Sequence, residues 1–318
     1  MSKLIYQLQE RHENIYVASG ASYDSYEIAS NLTLNYQGSL NISDSCGNAN
    51  FIVASTASPF AVFGAPYSLG CSGQAITVDS SGTLTSISGN ITYGNSSGVH
   101  GLALDANNEF IYSGDDMGNA VWVHSFNKVT GAVTQVQHLE APTGANPRHL
   151  AVHPKGKYVY VVFEEANQLG VYARELSSGK LTYTNTTYPL IPSGYTNSSL
   201  YWSDEVAFSF TKSDNPKYLL ASARSRTTSA VGYVTAFSLG DTGAISKQLF
   251  LSPTTGSGGA ANSVSPASFD EDYFAITDSG SNFVEVWKIN ATAKAGVTAG
   301  PVAHLDLDNG PANIVWYS

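Results

Sequence analysis

Arg148-His-Leu-Ala-Val-His153, Tyr158-Val-Tyr-Val-Val-Phe163, Leu169-Gly-Val-Tyr172 and Leu181-Thr-Tyr-Thr184 are four short runs of β-branched and aromatic residues separated by turn residues. About 48 residues earlier stands a second copy: His100-Gly-Leu-Ala-Leu-Asp105, Phe110-Ile-Tyr-Ser-Gly114, Ala120-Val-Trp-Val-His-Ser-Phe126 and Ala132-Val-Thr-Gln-Val-Gln137. Partial copies follow at Glu205-Val-Ala-Phe-Ser-Phe210 with Tyr218-Leu-Leu-Ala-Ser222, and at Asn262-Ser-Val-Ser-Pro266 with Tyr273-Phe-Ala-Ile-Thr277. Four short strands per unit of roughly 40–50 residues is the pattern of β-propeller blades. Divided into the 318 residues, that period predicts an all-β, seven-bladed β-propeller forming a single domain over 1–318. Asn313-Ile-Val-Trp-Tyr317 reads as an inner strand without a successor, and Asn14-Ile-Tyr-Val-Ala-Ser-Gly20 as a second strand without a predecessor. The expectation is that the two pair and close the ring, removing exposed sheet edges.

Composition agrees with an all-β chain. Charged residues make up 13% of it, and 19 Tyr and 29 Gly suit pleated surfaces joined by tight turns. No long i, i+3, i+4, i+7 pattern occurs, and no apolar run approaches the ~18 residues of a membrane span. The net charge of −10, without a Lys/Arg stripe, argues against a nucleic-acid partner. Cys46 and Cys71 lack the paired spacing and nearby His of a zinc site. A disulfide is the preferred reading, with two free thiols as the alternative. Asn-x-Ser/Thr sequons stand at Asn31, Asn41, Asn90, Asn95, Asn185, Asn197 and Asn290, against about four expected by chance in a chain so rich in Ser and Thr. Both features favour the secretory pathway or an extracellular location, with N-glycans as possible adducts. Residues 1–10 contain no apolar signal-peptide core, which leaves a cytoplasmic location as the alternative.

In a propeller the first strand of each blade lines the central tunnel. Polar residues at first-strand starts therefore converge, which singles out His100, Arg148, Glu205, Asn262 and Asn313; ends of second strands add Glu164 and Arg224. Two Arg, a Glu and a His can bind an oxyanion and move a proton. The competing reading is a set of hydrogen-bonded tunnel residues without catalytic consequence. His124 and His138 read as solvated outer-blade residues, and His153 as part of the turn between first and second strands. No metal-ligand spacing, calcium loop, Gly-x-Ser-x-Gly elbow or phosphate-binding glycine loop is present.

From about Gly98 onward the sequence resembles the fungal carboxy-cis,cis-muconate cyclases (lactonising enzymes). The resemblance rests on Gly98-Val-His-Gly101, Asn146-Pro-Arg-His-Leu-Ala-Val-His-Pro154, Tyr188-Pro-Leu-Ile-Pro192, Lys247-Gln-Leu-Phe-Leu-Ser-Pro253, Ser257-Gly-Gly259 and Asn313-Ile-Val-Trp-Tyr317. It implies a seven-bladed propeller using neither metal nor organic cofactor, with a catalytic set that falls on His100, Arg148, Glu164 and Arg224. Three surrounding positions depart from the family pattern: Asn146 and Ala260 replace His, and Trp202 replaces Arg. Each charged hydrogen bond lost would cost a tricarboxylate about 1.5–3 kcal/mol, whereas an aromatic substrate could stack on Trp202. Related propellers that resemble this cyclase include the hetero-Diels–Alderases of tropolone sesquiterpenoid biosynthesis. The expected function is accordingly a cyclase of fungal secondary metabolism, joining a tropolone quinone methide, formed by dehydration, to a humulene-type alkene. Its partner would be an aromatic or terpenoid small molecule, contacted by Trp202, Asn146, Asn262, Asn313 and Glu205. The alternatives are 3-carboxy-cis,cis-muconate lactonisation and a non-catalytic binding propeller.

Overall fold

The computed structural model describes residues 3–8, 13–56, 58–195, 198–209, 214–292 and 296–317. They form two compact units, Met1–Ala141 with Ser177–Leu181, and Pro142–Leu176 with Thr182–Ser318.

The first unit holds three four-stranded antiparallel meanders. They comprise β1 (Lys3–Leu8), β2 (Glu13–Ala18), β3 (Ser22–Ile28) and β4 (Leu34–Asn41); β5 (Ala49–Ala54), β6 (Ala61–Pro66), β7 (Gly73–Val78) and β8 (Leu84–Ile91); and β9 (Val99–Leu104), β10 (Phe110–Asp115), β11 (Ala120–Phe126) and β12 (Val133–Glu140). The second unit repeats the plan with β13 (Pro147–Val152), β14 (Tyr158–Phe163), β15 (Gln168–Arg174) and β16 (Leu181–Pro189); β17 (Tyr201–Phe208), β18 (Tyr218–Ser225), β19 (Tyr233–Leu239) and β20 (Ile245–Pro253); and β21 (Val264–Pro266), β22 (Tyr273–Asp278), β23 (Phe283–Asn290) and β24 (Thr298–Asp306). The two full copies legible in the sequence are β9–β12 and β13–β16.

Within each unit successive sheets pack face to face. Tyr160, Leu169 and Val171 of one sheet meet Val206, Leu219 and Phe237 of the next, and Tyr218, Leu220 and Val234 meet Val264, Phe274 and Trp287. In the first unit Tyr16, Ala18 and Tyr23 pack on Ile52, Val62 and Ile76. The Tyr23 ring needs a glycine opposite it, since a Cβ on Gly64 would lie 2.2 Å from its Cζ. Turn chemistry recurs as well. Asn119, Asn167 and Asn282 each precede the third strand of a sheet with φ of 50°, 51° and 58°, the left-handed conformation that Asn tolerates better than most residues.

Two expectations differ from what the described residues show. The described residues give six sheets, where the period predicts seven blades. First strands begin at residues 49, 99 and 147, but the next ones only at 201 and 264, because connections in the second unit are longer. The expected pairing of the chain ends is not shown among the described residues. One edge of β2 is taken by β1 and the other by β3, while 313–317 forms no strand and is held to β21 by the Trp316 indole N–H donating to the Ser265 carbonyl at 3.0 Å.

Cys46 and Cys71 are joined by a disulfide. His124, expected at a solvated surface, is fully buried: Nε2 lies 2.9 Å from the Thr92 carbonyl, and burial lowers its pKa from the ordinary imidazole value.

Candidate active site

Four first strands share an irregularity that strand patterning cannot reveal. In β5 the ladder to β6 steps from Ala49↔Pro66 to Phe51↔Ala65, so Asn50 is an extra residue. In β9 it steps from Gly101↔Gly114 to Val99↔Asp115, and His100 is the extra residue. In β13 Arg148 and His149 together oppose the single residue between Val161 and Phe163. In β17 Asp204 and Glu205 likewise oppose one residue, between Ala221 and Ala223. Each is a β-bulge, which bends the strand and re-aims a side chain out of the regular alternation.

In the second unit the two bulges meet residue for residue. The Arg148 Nη2 lies 2.6 Å from Asp204 Oδ1, and the His149 Nδ1 lies 2.8 Å from Glu205 Oε1. Arg148 also donates through Nη1 to Oε2 of Glu164, which follows the end of β14. Asp204 extends the chain: its Oδ2 lies 3.2 Å from Arg224 Nε and accepts the Asn262 backbone N–H at 3.1 Å. Arg224 in turn donates through Nη1 to the Ala260 carbonyl. Glu164, Arg148, Asp204 and Arg224 are each at most 6% exposed. The result is a continuous buried array of two guanidinium groups and two carboxylates, in which every charge touches an opposite one, as burial of ions demands.

The predicted residues are placed as follows. Arg148, Glu164 and Arg224 come together. Asn262 is beside them through its backbone N–H, its side-chain Nδ2 donating to the Ala223 carbonyl at 3.4 Å while Oδ1 has no hydrogen-bond partner among the described residues. Asn146 contributes its carbonyl to the Glu164 N–H at 2.9 Å. Glu205 forms the parallel pair with His149. Asn313 accepts the Ser263 hydroxyl at 2.8 Å and touches neither arginine. Trp202 is the cross-strand partner of Arg224, but its ring is not an open stacking face. The Arg226 and Arg224 guanidinium carbons lie 3.9 and 4.9 Å from its centroid, and its N–H donates to Glu165 at 2.8 Å. An open cavity of about 650 Å³ elsewhere in the unit, against β23 and β24 between Lys288, Asn290 and Val302, involves none of these residues.

His100, in the first unit, is 4% exposed. Its ring centroid lies 4.7 Å from that of Tyr67, and Asn50 Nδ2 approaches the ring nitrogens at 3.3 Å. The Tyr67 hydroxyl donates to Asp116 Oδ2. Asn50, the residue expelled by the preceding bulge, thus meets the residue expelled by the next.

Asp204 was missed by sequence reasoning, which picked its neighbour. The signal was available in the aligned doublets Arg148-His-Leu-Ala-Val152 and Asp204-Glu-Val-Ala-Phe208, which put a charged pair at the same two positions of consecutive units.

Comparison with known proteins places the chain in a family. The chain is 32% identical to the carboxy-cis,cis-muconate cyclase of Neurospora crassa over 87% of its own length and 78% of that protein. It is 26% identical to muconate cycloisomerase 1 of Cutaneotrichosporon cutaneum over 59% of this chain and 50% of that one. Among solved structures, the periplasmic gluconolactonase of Pseudomonas aeruginosa superposes with a TM-score of 0.76 at 15% identity, covering 94% of this chain and 84% of the other, a likeness of fold. Residues 5–292 match the family model described as Lactonase, 7-bladed beta-propeller. With the blade-like sheets and the similarity to the fungal cyclase, that match establishes that the chain belongs to the seven-bladed β-propeller lactonase family.

Proposed function

We propose that the protein is a lactonising cyclase, closing a ring ester by adding a carboxylate oxygen across an electron-poor alkene, or opening such a ring in reverse. The observation that carries this reading is the buried Glu164–Arg148–Asp204–Arg224 array in a chain 32% identical to a carboxy-cis,cis-muconate cyclase. Arg148 and Arg224 are the groups that hold substrate oxygens. As the C–O bond forms, the alkene electron pair moves onto the carbon next to an electron-withdrawing carbonyl, and that carbon then takes a proton. Fixed cations facing the developing oxyanion stabilise it without reorganisation. Glu164 and Asp204 are positioning residues that fix the two guanidinium planes. His100 is assigned the proton on the family resemblance, and residues 1–318 are taken as one propeller domain.

A second reading rests on the surroundings of the arginines. Asn146, Trp202 and Ala260 stand where the lactonising pattern has potential cations, and all three touch Glu164 or Arg224. With less positive charge, the same arginines suit the acidic oxygens of a tropolone, and the reaction becomes dehydration to a quinone methide followed by hetero-Diels–Alder addition to a humulene-type alkene. Turnover of both substrate types, with Trp202→Arg as the probe, decides between them. Lactonisation predicts that Trp202→Arg preserves or improves turnover of 3-carboxy-cis,cis-muconate; the cycloaddition reading predicts that it lowers formation of the adduct. Under either reading Arg148→Ala lowers kcat/KM about 10- to 150-fold, the equivalent of one charge-assisted contact. Absence of both activities in the folded protein would overturn both readings.

A further inference from the structure

Among the described residues, the fourth strand of each four-stranded sheet pairs only with the third and leaves one edge of the ladder unpaired. Such edges recruit other strands unless they are guarded, most often by charge. The six outer strands divide cleanly. β12 carries Glu140, β20 carries Lys247, and β24 carries Asp306, and none of these three contains a sequon. β4 (LNYQGSLN), β8 (LTSISGNI) and β16 (LTYTNTTYP) contain no charged residue over eight, eight and nine positions, and each contains the Asn of a sequon: Asn41, Asn90 and Asn185. Two further sequons flank the same strands, Asn31 in the turn before β4 and Asn95 shortly after β8.

Accessibility points the same way. All six described sequon Asn residues are exposed, against seven of the fifteen other Asn residues. At Asn31 the amide Oδ1 accepts both the Thr33 N–H at 3.1 Å and the Thr33 hydroxyl at 2.7 Å. Asn290 and Thr292 repeat the arrangement at 3.3 and 3.2 Å. That local turn brings the sequon hydroxyl against the amide oxygen and leaves Nδ2 as the atom available for transfer. The Cys46–Cys71 disulfide fits the oxidising compartment in which such transfer occurs.

We propose that Asn41, Asn90 and Asn185 are N-glycosylation sites whose oligosaccharides guard the edges of the three uncharged outer strands. In the transfer, an N-glycosidic bond forms between the Asn Nδ2 and the anomeric carbon of a lipid-diphosphate-linked oligosaccharide. The anomeric C–O bond to the diphosphate breaks, and the Nδ2 proton passes to a base of the transferase. A bulky hydrated chain on the strand then performs the task that Glu140, Lys247 and Asp306 perform elsewhere.

The test is production of the chain behind a leader in a eukaryotic secretory host, with peptide mass spectrometry after enzymatic deglycosylation in heavy-oxygen water. Labelled Asp at positions 41, 90 and 185 is expected; unmodified Asn at these three in the secreted, disulfide-bonded protein would overturn the assignment. Native protein trimmed with an endoglycosidase is then compared with untrimmed protein by sedimentation velocity across a concentration series. Trimming after folding avoids confusion with a folding defect. The trimmed protein is expected to shift to larger species with rising concentration, and a variant carrying Asn41→Lys, Asn90→Lys and Asn185→Lys is expected to stay monomeric without glycan. A trimmed protein that remains monomeric throughout would overturn the guarding role.

Discussion

Asp204 joins two arginines, so replacing it tests the whole array. In Asp204→Asn the side chain keeps its shape and one oxygen but loses its charge. Arg148 still has Glu164, whereas Arg224 keeps the Ala260 carbonyl and the Trp202 ring, neither of which carries a counter-charge. At separations of 2.6 and 3.2 Å, and with an effective dielectric of about 20, each charge pair contributes about 5–6 kcal/mol of attraction, offset by desolvation. Removing one member of such a buried set costs about 3–5 kcal/mol. Urea unfolding should therefore show Cm falling by one-third or more for a domain of ordinary stability, with m unchanged. The double mutant Asp204→Asn/Arg224→Gln should recover part of the loss, because the stranded cation has gone, with a coupling energy of about 1–3 kcal/mol. A single-mutant loss below about 1 kcal/mol, or additive effects in the cycle, would refute the view that Asp204 is the electrostatic centre of the site.

Two further outcomes follow from the fold. The Cys46–Cys71 bond closes a loop with a sequence separation of 25, and the chain-entropy relation assigns it about 3.5 kcal/mol; Cys46→Ser/Cys71→Ser should lose stability of that order in denaturant unfolding, and an unchanged midpoint would contradict it. His153 has its pKa lowered to about 4, chiefly by burial and then by the nearby Lys155 charge. The unfolded chain binds the proton first, so the stability tied to neutral His153 is intact above about pH 6.5 and is lost as pH falls from there towards 4, by about 3 kcal/mol. His153→Asn should flatten the stability–pH curve in that window, and an unaltered slope would count against the assignment.

The repeat was legible because buried strands announce themselves. Tyr158–Phe163 and Phe110–Asp115 are runs of residues that suit pleated, packed surfaces, and the Asn residues before third strands mark the hairpins. Arg148, Glu164 and Arg224 could be found from their positions at strand ends. Asp204 could not be separated from Glu205 by alternation, because the extra residue in β17 cancels the two-residue parity on which that reasoning depends. Sequence likewise gives no sign that Arg226 packs against the Trp202 ring. The C-terminal Asn313–Tyr317 misled for a different reason. Strand propensity says that a segment can pair, not with what, and β1 already occupies the edge of β2 intended for it.

The bulges in β5, β9, β13 and β17 separate two kinds of inheritance within one strand. The residues that carry the ladder must keep their pairing and their apolar faces, whereas the supernumerary residue is tied to neither. Asn, His, Arg-His and Asp-Glu occupy equivalent places in four successive sheets, so one backbone device tolerates neutral, basic and acidic side chains alike. A fold built this way can exchange the chemistry of its site one sheet at a time, without rewriting the hydrogen-bond register that holds the sheet together.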